Sequence, residues 1–385
     1  MRVALVSFRL GGPDGVSVET EKWRAALHAL GHTTYRVAGA FGSGEPGDVT
    51  VPGLGYSAAV AGPDDSAPPA IGVLDAALAD ADLVVVENVF GLPLHPGATA
   101  VLAQVLASRP AIGHHHDLPS QRREWAAMAP EALALFPPDL PRMMHVTINE
   151  LSRRELAARG LDATVVPNTF DPDPAPGRLA AELRARLGLA DGERADATLA
   201  LVPSRVIPRK DIGRAIAFCE ALQAAARPVV LLVTGPVEDG YASVFARMCA
   251  AADVRVAHHP DWFGHGGAFS MADAYAAADV VVFASAWEGF GNPVLESVAH
   301  ARPLVVSPYP VLAEIEAMGF RFTHLGADPS AAVAAFLDGT STALVARNRE
   351  ILATTLSPAR LRRDLATLID AIGPFPIGWA RQASR

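Results

Sequence analysis

Residues 280–299 read VVVFASAWEGFGNPVLESVA, and their order of residue types points to one kind of fold. Four bulky apolar residues, Val280 to Phe283, predict a short strand buried on both faces, as in a parallel sheet. A turn containing Gly289 and Gly291 follows, and a helix begins after it. Asn292 suits the helix N-cap and Pro293 the first helical position, where the N–H that proline lacks would have no partner anyway. Glu288 then lies in the turn and Glu296 one helical turn inside. Glycines let a backbone approach a ligand closely, and the free amides at a helix start favour negatively charged groups. A carboxylate one turn in is placed to accept hydrogen bonds from vicinal hydroxyls.

Outward from this stretch the same alternation recurs, which predicts an α/β protein with parallel sheets. In the first half, strands are expected at 3–8, 83–86, 111–113, 146–148 and 164–166, with helices at 16–30, 98–107 and 151–159. In the second half, strands fit at 199–202, 229–233, 254–257, 280–283 and 304–306, and a helix at 357–372. Residues 42–72 are rich in Gly, Pro, Asp and Ala and are expected to form a long loop with an extended piece near 49–51. Residues 171–177 read DPDPAPG, and three prolines there can continue neither a helix nor an inner strand. The expected domains are therefore 1–172 and 173–372, with a tail, 373–385, that can pack back on the first.

The chain has 385 residues, more than one core usually organises, which agrees with two domains. Half the residues are hydrophobic and 19% are charged, a globular composition. A net charge of −9 argues against wrapping nucleic acid, which needs a basic face. The two cysteines, Cys219 and Cys249, are too few for a disulfide framework and are expected to be buried thiols. No uncharged apolar run approaches the ~18 residues of a spanning helix, and the start lacks the layout of a signal peptide. A cytoplasmic protein is expected, with peripheral contact at a membrane surface left open.

Other segments carry chemistry-bearing side chains. LVPSRVIPRKDIGR, 201–214, places Arg205 and Lys210 five apart just after a strand. Arg209 is expected to be solvated. Gly12 and Gly15 turn the chain after the first strand, but their spacing misses the dinucleotide fingerprint. His114-His115-His116-Asp117 ends a strand, so His114 and His116 share one face and His115 takes the other. Adjacent histidines rarely assemble a metal site alone, and none is expected. His258, His259 and Trp262 read as surface loop, with a place beside a nucleobase as the alternative.

Two glutamates seven apart with Gly-Phe-Gly between them, Glu288 and Glu296, resemble the donor site of retaining glycosyltransferases of the GT-B fold, family four, also called glycosyl transferases group 1. The pair Arg205 and Lys210 resembles that family's strand, Gly-Arg, four residues, Lys-Gly, with Ser204 and Asp211 in place of the two glycines. The resemblance implies two Rossmann-like doubly wound domains facing across a cleft, and transfer of a hexosyl group from a UDP- or GDP-sugar to an acceptor hydroxyl. It implies that Glu288 lies beside the donor sugar and that Glu296 binds the ribose. Arg205 and Lys210 would hold the diphosphate, the turn Gly289, Phe290, Gly291 and Asn292 would face the sugar, and Gly235 would lie near the nucleotide. His116 and Asp117 match a His-Asp pair that approaches the sugar and acceptor, and the loop with Gly12 and Gly15 would reach the phosphates or acceptor. No cofactor or metal is implied. The acceptor, a small molecule, a glycan or a lipid-linked species, and the oligomeric state are left open, as are an epimerase or phosphorylase activity and a non-catalytic nucleotide-sugar binder.

Overall fold

The computed structural model describes residues 1–12, 14–56, 67–122, 125, 128–190, 196–226, 228–238, 240–264 and 266–373. The chain forms two compact units, one of Met1–Thr169 with Pro358–Arg385, the other of Phe170–Ser357.

In the first unit, strands β1 (Arg2–Leu10), β2 (Thr33–Phe41), β3 (Val49–Thr50), β4 (Leu83–Glu87), β5 (Ala111–His115), β6 (Met143–Thr147) and β7 (Ala163–Val165) build one sheet. Its order is β3-β2-β1-β4-β5-β6-β7, and every neighbouring pair is parallel. Helices cover both faces. Along β1, Ala4, Val6 and Phe8 enter one core with Leu74, Leu102 and Leu106, whereas Val3 and Leu5 enter another with Trp23 and Leu27. Successive side chains of a strand point to opposite faces, so a strand covered on both sides must be apolar throughout.

The second unit repeats the plan with β8 (Thr198–Val202), β9 (Val229–Val233), β10 (Arg255–His258), β11 (Val280–Phe283), β12 (Leu304–Val306) and β13 (Thr323–His324). The order is β10-β9-β8-β11-β12-β13. In both units the strand order reverses beside the first strand, between β1 and β4 and between β8 and β11. Doubly wound sheets bind ligands at that switch point, beyond the carboxyl ends of the strands.

Three features depart from the sequence reading. The strand Thr33–Phe41 was not expected, because Arg36 interrupts its apolar run. Arg36 is nevertheless buried, its guanidinium held by Asp48 at 2.6 and 2.8 Å and by Glu21 at 2.9 Å. In the expected loop 42–72 the extended piece foreseen near 49–51 is β3, but the loop's last residues already open the helix Ile71–Ala77, and residues 57–66 lie outside the described residues.

The domain boundary is also corrected. The expected division placed 357–372 with the second domain, but the helix Pro358–Ile372 belongs to the first unit. Its buried face, Leu361, Leu365 and Leu368, packs with Val3, Leu5, Trp23 and Leu27. Spacings of four and three residues put these leucines on one side of the helix, but an apolar stripe does not say which sheet will cover it. The tail beyond residue 373 lies outside the described residues.

Leu365→Ala should cost about 2–5 kcal/mol, the usual range for emptying a buried leucine site. Hydrogen–deuterium exchange should show faster opening of β1 and the helix Gly15–Ala29, with β8 and β11 unchanged. Faster exchange in the second unit instead would place this helix wrongly.

Candidate functional site

In the second unit a carboxylate and two cations meet beyond β8 and β11. Glu288 is buried, and its Oε1 accepts a hydrogen bond from Lys210 Nζ at 2.5 Å. Its Oε2 lies 2.9 Å from the guanidinium of Arg209, which also donates to the Trp287 carbonyl at 2.8 Å. Arg209 is therefore not solvated as expected. The short turn Pro208–Lys210 brings both cations across from β8, and the Ala286 N–H donates to the Arg209 carbonyl at 2.9 Å. Asp211, which stands where the resembled pattern has glycine, takes the left-handed backbone (φ 45) that favours glycine. Its side chain accepts from Arg214 N and caps the helix Ile212–Ala225, a gain that offsets the backbone strain.

Burial alone would raise the Glu288 pKa, but Lys210 and Arg209 overcome it and hold the carboxyl at about 2. Burial pushes Lys210 down to about 8, helped by Arg209 and Arg205 and opposed by Glu288. Arg205 acts on Lys210 through its charge, yet its own guanidinium is half exposed and pairs with Glu238 at 2.7 Å. Three cations beside Glu288 and Glu238 leave the local balance positive, which is what a diphosphate requires.

The turn after β11 is held from two sides. Tyr309 Oη donates to the Phe290 carbonyl at 2.9 Å, and the Phe290 ring stacks on Phe170 at 6.4 Å. Gly291, not Asn292, is the helix N-cap, so the helix Asn292–Ala299 begins one residue earlier than expected and Pro293 is its second residue. Gly291 has φ 98, and a Cβ there would overlap the Tyr309 hydroxyl, so glycine is required. Glu296 lies on this helix, and its Oε2 accepts from Tyr275 Oη at 2.7 Å. Gly235, after β9, packs so closely on Ser204 and Arg205 that a Cβ would strike the Ser204 carbonyl. Its own carbonyl lies 2.9 Å from His258 Nε2. His259 and Trp262 stack on each other at 3.9 Å, on part-exposed surface as expected.

In the first unit, Glu87 at the end of β4 receives His114 from β5 and His116 from just beyond it. Oε2 of Glu87 lies 2.8 Å from His114 Nδ1 and 3.2 Å from His116 Nε2. His115 faces the other way and meets His145 at 3.0 Å. Trp23 stacks on His114 at 4.2 Å, and the buried Glu19, paired with Lys22, acts on His116 through its charge. Asn88 (φ 60) clamps the next turn, its Oδ1 accepting from the His116 and Asp117 N–H groups at 2.9 and 3.3 Å. Asp117 itself pairs with Arg122 at 2.8 Å. Gly15 opens the helix that carries Glu19 and Trp23, Asp14 caps it, and Gly12 lies in the turn ahead. Glu87, His114 and His116 each offer one ligand atom within 4.8 Å of the others, the one such trio among the described residues.

Sequence reading missed Glu87 and Asn88, which lie at the end of an apolar strand, and also Tyr275 and Tyr309. A glutamate closing the run Leu-Val-Val-Val was the available signal for the first. The two tyrosines lie far along the chain from the groups they hold, and they carried none. Cys219 is buried in the second unit's core as expected, and Cys249 packs partly against it. No helix of the described residues is long and apolar enough to cross a membrane.

Residues 190–347 match the family model for glycosyl transferases group 1. Among curated proteins, the chain is similar to mannosylglucosylglycerate synthase of Thermotoga maritima, 28% identical over 85% of each chain. It is also similar to the enzyme of that name from Petrotoga mobilis, 26% identical over 85% of this chain and 87% of the other. Among solved structures, HepE of Anabaena in complex with UDP-glucose superposes with a TM-score of 0.70 at 17% identity, covering 96% of this chain and all of the other. The fold is thus shared with that protein, and Lys210, Glu288 and Glu296 fall within the matched residues 190–347. The chain is a glycosyltransferase with the GT-B fold, and residues 190–347 of its second unit are similar to the glycosyl transferases group 1.

Proposed function

We propose that this protein moves a hexosyl group from a UDP- or GDP-sugar to an acceptor hydroxyl with retention of the anomeric configuration. The observation that carries the reading is the group Lys210, Arg209 and Glu288 beside the start of the helix Asn292–Ala299, at the switch point of the second sheet. Lys210 and Arg205 hold the donor diphosphate, with Arg209 adding positive charge, and Glu288 stands beside the sugar. Glu296, held through one oxygen by Tyr275, offers the other to the ribose hydroxyls. The turn from Gly289 to Asn292 faces the sugar, with Gly235 near the nucleotide. In the reaction the C1–oxygen bond breaks with its electron pair leaving on the diphosphate, and the acceptor oxygen bonds to C1 as its hydroxyl proton passes to the departing diphosphate. Positive charge fixed beside the departing diphosphate lowers that barrier. His116 donates a hydrogen bond to a sugar hydroxyl, and Asp117 braces the turn that presents it.

The name shared by the two curated relatives favours a mannosyl group and a small acceptor of the glucosylglycerate kind. A thermal-shift screen of UDP- and GDP-sugars tests the donor, because a ligand of the native state raises its melting temperature. Transfer assays with glucosylglycerate then test the acceptor. Sugar-nucleotide turnover without an acceptor would favour an epimerase, and binding without turnover a sensor.

Two kinetic outcomes follow. Glu296→Ala should raise the donor KM about 10- to 100-fold, the value of a hydrogen bond to a charged group, while Arg205→Ala should chiefly lower kcat/KM. Near-normal kinetics in both would remove this site assignment.

The pH dependence has a definite sign. Lys210 is protonated below its pKa of about 8, so nucleotide affinity should be full at neutral pH and fall as pH rises through that value. Lys210→Met should bind weakly at every pH and lose this alkaline limb. Titration calorimetry against the nucleoside diphosphate checks both.

A further inference from the structure

The cluster at the ends of β4 and β5 contains a group with no part in the donor site described above. We propose that Glu87 is a positioning residue, whose carboxylate reaches His114 and His116 together and orients the His116 ring toward the sugar hydroxyl it serves. The proposal rests on the placement of His116 at the substrate given under Proposed function.

The geometry supports it in three ways. First, the Glu87 side chain has no exposure and is reached by two imidazoles through one oxygen, Oε2, at 2.8 and 3.2 Å. An ionised carboxylate only accepts hydrogen bonds, so Nδ1 of His114 and Nε2 of His116 both carry their protons. That sets the His116 ring with Nε2 turned inward and Nδ1 as the nitrogen available to a ligand. Second, the neighbours remove other orientations. Trp23 lies flat on His114, the His114 and His116 rings are 4.4 Å apart, and Asn88 holds the His116 backbone through its N–H. Third, the charge of Glu87 is fully buried. A buried carboxylate is costly unless it is paired, and its partners here are two side chains of the candidate His-Asp string.

The charges around His116 define the ionisation that follows. Glu87 faces it from β4 and Glu19, with Lys22, from the helix Gly15–Ala29. His114, His115 and Asp117, the last paired with Arg122, face it from its own segment. Burial opposes the charged ring, but Glu87, Glu19 and Asp117 outweigh it and raise the His116 pKa above 6.5. Burial keeps His114 low and neutral despite Glu87. His116 therefore keeps its second proton to higher pH than an ordinary imidazole, and while protonated it donates at both nitrogens, one to Glu87 and one to the substrate.

The test measures kcat and KM for donor and acceptor across the neutral pH range in wild type, Glu87→Gln, Glu87→Asp and His116→Gln. Glutamine keeps the size of Glu87 and removes its charge. The expected result for Glu87→Gln is a fall in kcat of about 10- to 100-fold, the cost of a misplaced reacting group, with donor KM little changed. Its alkaline limb should move to lower pH, because an imidazole without its carboxylate loses the proton sooner. Glu87→Asp should restore part of the activity, and His116→Gln should be at least as impaired as Glu87→Gln. Histidine nitrogen NMR of the unmodified protein gives a readout independent of any variant's folding. One imidazole, lost in His116→Gln, should titrate above 6.5.

A Glu87→Gln enzyme with the wild-type pH profile and kcat would overturn the proposal, as would a His116 ring that titrates below 6.5. So would a stoichiometric metal ion in the purified protein that Glu87→Gln loses, since the trio would then be a metal centre. If the wild type transfers no sugar at all, the failure lies with the proposed function, whereas an active wild type with an indifferent Glu87→Gln condemns this inference alone.

Discussion

Glu288 remains ionised while buried because Lys210 and Arg209 reach it from the end of the adjacent strand. Remove the cations and the carboxylate must take a proton or be exposed; remove the carboxylate and two cations are left together in a crevice. The pair therefore ties the turn after β8 to the turn after β11, and the rest of the second unit serves to bring those turns together. Parallel pairing of β8 with β11 aligns their carboxyl ends. Gly235 lets the loop after β9 lie against Ser204, and Tyr309 secures the turn from β12.

The first unit solves a similar problem with titratable partners. There one buried carboxylate, Glu87, collects two imidazoles rather than a lysine and an arginine. Imidazoles titrate near neutral pH, so their charge depends on their neighbours, whereas arginine stays charged throughout. The contrast suits the tasks proposed for the two places: a standing positive field for a diphosphate, and a hydrogen-bond donor for a sugar hydroxyl.

Much of this was legible in the order of residue types. Continuous apolar runs such as Val280–Phe283 are strands because only a sheet covered on both faces needs them. The glycine turn with its two glutamates was visible for the same reason, since turn chemistry is local. The pairing of His114 with His116 followed from the two-residue period of a strand. What escaped was non-local. Arg209 read as solvated because nothing near it in sequence opposes its charge; Glu288, which does, lies in the turn after another strand. Arg36 concealed a strand because its partners, Glu21 and Asp48, are reached only in the folded sheet.

Local rules were therefore enough to establish two doubly wound sheets and to mark the segments that carry the chemistry. Strand period, helix caps and glycine turns act over a few residues and can be read along the chain. Which sheet covers the leucines of Pro358–Ile372, which cation meets Glu288 and which carboxylate holds His116 were settled by packing. Each of those contacts joins residues tens to hundreds of positions apart, and burial alone gives their charges and apolar faces a single place to go.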